Sequence, residues 1–126
     1  MAIGLQPTYK TAVSAAASDI KGMINGTDYA NNKIAQIPDL IKAGKLDDAS
    51  STAQSAQKAL DAVTLSAEAS NNNISRASEF ATGPDGTSAQ RSEVAALSDS
   101  WMSASEGIIT SKKNLLNAKD SIAEAN

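Results

Sequence analysis

Leu46–Ala81, LDDASSTAQSAQKALDAVTLSAEASNNNISRASEFA, decides the fold class. Leu46, Ala49, Ala53, Ala56, Leu60, Val63, Ala67, Ser70, Ile74, Ala77 and Ala81 follow one another at alternating steps of three and four. That spacing keeps one stripe of side chains on one side of an α-helix over five heptads. At about 1.5 Å per residue the helix is roughly 54 Å long. Most of its stripe is Ala, which favours helix because it loses no side-chain entropy there. Small seam residues let a neighbouring helix come close and bury little apolar area per residue.

Downstream, Thr82-Gly83-Pro84-Asp85-Gly86 is the strongest breaker in the chain. Thr87 and Gln90 then stand at capping-box spacing and open a helix over about 87–125. Val94, Leu97, Trp101, Ala104, Ile108, Ser111, Leu115, Ala118, Ile122 and Ala125 repeat the same alternation. Two helices of matched length joined by a short loop lie antiparallel. Upstream, Lys42, Gly44, Asp47 and Asp48 form a helix-to-helix turn, with Gly44 ending one helix and the acidic pair opening the next.

Two shorter helices are expected before that turn. Pro7 fits a first helical turn, and Tyr9, Val13, Ala16, Ile20 and Met23 share one face. Asn25-Gly26-Thr27-Asp28 carries the residues of a stop followed by a new N-cap. The two helices are therefore placed at about 7–25 and 28–43, the second interrupted at Ile37 by Pro38. The expectation is a single all-α domain over 1–126, four-helix-bundle-like, with two long helices at about 46–81 and 87–125 covered by two short ones.

Leu, Ile, Val and Phe supply 22 of 126 residues, so the core is thin. With 11 basic against 14 acidic side chains and a net charge of −3, the chain lacks the cationic excess that neutralises phosphates. Nucleic acid is not an expected partner. No apolar run approaches the ~18 residues of a spanning helix, and Met1-Ala2-Ile3-Gly4-Leu5 lacks the basic and apolar regions of a cleaved signal peptide.

The chain contains no His and no Cys, which removes imidazole bases, thiolate nucleophiles and the metal ligands built on either. Asp47 and Asp48 are the one adjacent acidic pair, and their place at a helix N-terminus suits the dipole. Gly44-Lys45 lacks the upstream glycine and the following Ser or Thr of a phosphate loop. Gly83-Pro84-Asp85-Gly86 lacks the alternating oxygen ligands of a calcium loop. Asn25-Gly26-Thr27 and Asn73-Ile74-Ser75 match the glycosylation pattern by chance. No catalytic residue, metal or cofactor is expected, and the chain is not expected to be an enzyme.

The residues left as candidates for contact with protein partners are Trp101, Tyr9, Tyr29 and Phe80, as aromatic anchors or core residues, and Asn71, Asn72 and Asn73, as a run of amides in mid-helix. Together with the small-residue seams they suggest a structural subunit of a larger ordered assembly, of virion or exported-filament type. Self-association is its expected partnership, and a virion or extracellular assembly is favoured over the cytoplasm. In size, acidity and helix content the chain also resembles the WXG100-type substrates of type VII secretion. Trp101-Met102-Ser103 has Ser where that family has Gly, and it lies within the last helix instead of at a hairpin turn. The resemblance implies a small exported helical-hairpin protein or secretion partner.

Overall fold

In the computed structural model, which describes residues 8–126, three helices run up, down and up: α1 (Tyr9–Lys42), α2 (Leu46–Thr82) and α3 (Ser88–Ala125). Among the described residues there is no strand. The α2–α3 hairpin forms as its two heptad seams require. Arg91 Nη1 donates to the Ala81 carbonyl at 3.1 Å near the turn, and Lys119 Nζ donates to Gln57 Oε1 at 2.7 Å towards the far end. The N-terminal helix expected to begin at Pro7 starts instead at Tyr9. Thr8 caps it by accepting from the Thr11 amide, and Pro7 itself lies outside the described residues.

Two expected short helices are one helix of 34 residues, which makes the bundle three-helical. Asn25-Gly26-Thr27-Asp28 does not stop it, and tertiary packing explains why. Gly26 faces α2 so closely that a Cβ placed on it would lie 2.2 Å from Val63 Cγ1. The glycine therefore serves a close helix crossing and not a left-handed turn. Thr27, expected as an N-cap, is buried and turns its hydroxyl back to the Met23 carbonyl at 2.7 Å, satisfying itself inside the helix.

The break expected at Ile37 is also absent. Pro38 is exposed on the outer side, and α1 continues through it. A mid-helix proline removes the bond to the carbonyl four residues back. Burial of Ile37 in the core, with Ile34, Leu40 and Ile41 packed against it, offsets that loss on both sides of the proline.

The α1–α2 turn closes as its sequence indicates. Gly44 adopts φ +75, its amide donates to the Ile41 carbonyl at 3.0 Å, and the Lys45 amide reaches back to the Leu40 carbonyl at 2.9 Å. These are the two bonds of a Schellman motif. At the start of α3 the Thr87–Gln90 capping box is complete, with both bonds at 3.1 Å.

The core is built mainly from small residues. Ala12, Ala16 and Ala30 of α1 are buried, as are Ala49, Ala53, Ala56, Ala77 and Ala81 of α2. Met23, Ile37 and Leu60 are the bulkiest fully buried apolar side chains. Ser70 lies fully buried on the α2 seam, and its hydroxyl is satisfied by the Ser66 carbonyl at 2.9 Å. The buried residues of α3, Ile108, Ser111, Leu115 and Ile122, all fall in its C-terminal half.

Candidate functional site

The seven sequence-selected contact residues divide into two groups. Trp101 is half-buried, and its Nε1 donates to the Ala67 carbonyl at 2.8 Å, so the indole ties α3 to the small-residue seam of α2. Asn73 Nδ2 reaches Asp19 Oδ2 at 3.3 Å and joins α2 to α1. Tyr9 fastens the start of α1 to the start of α3: its hydroxyl donates to the Glu93 carboxylate and lies 3.3 Å from the Gln90 carbonyl. The other four remain outside the bundle. Tyr29, Phe80, Asn71 and Asn72 are exposed, with the Lys33 ammonium 5.5 Å from the Tyr29 ring centre. These four do not meet in one patch, because Tyr29 lies midway along α1 while Phe80 is near the C-terminus of α2.

Burial, then the hydrogen bond to Glu93 and its negative charge, push the Tyr9 phenol up to about 12. The folded-state value exceeds the ordinary 10.0, so the stabilisation is complete below pH 10 and is lost as pH rises through about 12. An absorbance titration of the folded protein is expected to show a tyrosinate step near pH 12 that Tyr9→Phe removes. If the step removed by that substitution lies near the ordinary 10.0 instead, the contact does not form.

A groove of about 490 Å³ runs between α1 and α3, lined by Ile24, Asp28 and Asn31 on one side and Asp99, Ser103 and Gly107 on the other. It is open and shallow. Its two carboxylates come from different helices, and among the described residues no group of three or more acidic side chains is arranged to hold a metal ion.

The most distinctive feature of the surface lies on the far side of α3. Met102, Ile109 and Leu116 are 55%, 67% and 60% exposed and stand seven residues apart. At about 100° of rotation per residue, this spacing aligns them in a second stripe, one residue round from the seam that faces the core. Each follows a seam residue directly, in the pairs Trp101-Met102, Ile108-Ile109 and Leu115-Leu116. The repeated doublet is the sequence signal for this stripe, and a search for a single apolar face per helix passes over it. Exposed Asp99 and Glu106 flank the stripe on the α1 side towards its N-terminal end. Exposed Lys112 and Lys119 flank it on the α2 side towards its C-terminal end.

No protein family, curated protein or solved structure matches the chain. Among the described residues no helix is long and apolar enough to cross a membrane.

Proposed function

We propose that this chain is a non-enzymatic structural subunit whose role is to pack against other protein subunits in a larger ordered assembly. The observation that carries this reading is the outer stripe of α3. Exposed single hydrophobics are ordinary on a protein surface, whereas three large ones repeated at heptad spacing along one side of a helix offer a surface on which another subunit can pack. A helix apolar on two sides has a second partner to meet. The small-residue core supports the same reading, because close-packed Ala and Ser bury little apolar area and leave stability to be gained from neighbours.

Light scattering behind size-exclusion chromatography, over a protein concentration series, tests the proposal. A mass that rises above 12.9 kDa with concentration is expected. A monomer at every concentration would overturn it.

A further inference from the structure

We infer that α3 is a helix in two parts, and that its N-terminal half, residues 88–106, opens away from α1 and α2 as a local unit while the half beyond Gly107 stays docked. Every buried residue of α3, from Ile108 through Ser111 and Leu115 to Ile122, lies in the second half. In the first half Val94, Leu97, Trp101 and Ala104 stand at seam spacing against the core but are only half-buried. Local stability follows buried apolar contact, so the two halves are held unequally.

Polar contacts fasten the first half. Tyr9 holds its start through Glu93 and the Gln90 carbonyl, Arg91 Nη1 meets the Ala81 carbonyl at 3.1 Å, and Trp101 Nε1 meets the Ala67 carbonyl at 2.8 Å. On opening, water replaces each of these partners, so each bond contributes little net stability. One group gains from the exchange. Ser105 Oγ is buried with no hydrogen-bond partner among the described residues, and opening returns it to water.

The platform beneath this half holds without it. At the same level α1 and α2 are joined directly, Asn73 Nδ2 reaching Asp19 Oδ2 at 3.3 Å and Ser70 Oγ lying 3.4 Å from Met23 Sδ. Gly107 marks the boundary. A methyl group added there would meet only Thr27 Cγ2, at an ordinary 3.9 Å, so packing does not require the glycine, which weakens the helix interior at that point. Tethered by the turn after α2 at one end and by the docked half at the other, residues 88–106 open as a loop and close again in place. Opening uncovers the α1 seam at Ile20, which lines a groove together with Leu97.

Native-state amide hydrogen exchange of the full chain, under conditions where closing outpaces exchange, tests the inference. After correction for intrinsic rates, amides of residues 94–104 are expected to exchange at least about tenfold faster than those of residues 109–118. Two variants separate a local opening from global unfolding. Ile122→Val weakens a contact that the open form keeps, so it is expected to speed residues 109–118 by about 2- to 10-fold and to leave residues 94–104 unchanged. Tyr9→Phe removes a contact that the open form lacks, and is expected to speed residues 94–104 by about 2- to 10-fold.

Equal exchange in the two halves, or faster exchange in the second, would overturn the inference. Acceleration of both sets by Ile122→Val would mean that α3 leaves the bundle only as a whole, and would overturn it too. Exchange of residues 94–104 unmoved by Tyr9→Phe would show that they do not open as one unit with the start of the helix.

Discussion

Gly26→Ala is expected to lower the stability of the bundle by about 1–3 kcal/mol, although alanine is the better helix former by ~1 kcal/mol. The two effects oppose one another, and geometry decides between them. The added methyl would sit 2.2 Å from Val63 Cγ1, far inside contact distance. Val63 is buried on the α2 seam and β-branched, which leaves it one preferred χ1 in a helix, so it has no inexpensive way to turn aside. The remaining response is for α1 and α2 to separate, loosening the alanine contacts on either side.

Val63→Ala alone is expected to cost about 2 kcal/mol, from two lost methyl groups and the space they leave. In the double substitution the methyl added at position 26 enters part of that space. The pair should therefore be more stable than the sum of the single effects predicts, by at least about 1 kcal/mol. Urea unfolding followed by circular dichroism measures all three. If Gly26→Ala raises stability by the propensity difference alone, the close crossing at this point is wrong.

The same glycine shows where local reading of the sequence stops working. Asn-Gly-Thr-Asp has the composition of a helix end followed by a helix start, and nothing in those four residues distinguishes that use from a close crossing. Val63, 37 residues away, makes the difference, through an alignment of two helices that local pattern does not specify. Pro38 is a similar case, its local penalty overridden by the burial of Ile37.

Signals that are themselves local were legible. Gly44 sits in the left-handed conformation its turn requires, Thr87 and Gln90 close the capping box, and the α2 stripe from Ala49 to Ala81 faces the core with only Ala67 left part-exposed. The internal roles of Tyr9, Trp101 and Asn73 depended on partners 84, 34 and 54 residues distant, so the sequence could mark them only as contact residues of unassigned role. The outer stripe differed again. Its three residues are as periodic as the seam, but they sit beside it, and a single apolar face per helix absorbs only the first residue of each doublet.

Leu115 and Leu116 test that distinction with adjacent residues of the same type. Leu115→Ala is expected to destabilise the chain by about 2–5 kcal/mol, the cost of emptying a buried leucine site. Leu115 is 3% exposed and is one of three buried apolar residues that attach α3 to the core, all in its C-terminal half. Against a total stability of roughly 5–15 kcal/mol for a small domain, that loss leaves a large population with α3 detached or the whole bundle unfolded.

Leu116, one position further round and 60% exposed, has little to lose within its own chain. Leu116→Ala should change the unfolding free energy of the monomer by no more than about 0.5 kcal/mol, while weakening self-association in sedimentation velocity. Urea unfolding at dilution, where the chain is monomeric, separates the two effects. Destabilisation by Leu116→Ala comparable to that of Leu115→Ala would place Leu116 in the core and remove the surface stripe. Loss of association without loss of stability means that each doublet divides its labour, its first residue holding the helix to its own bundle and its second holding the bundle to another.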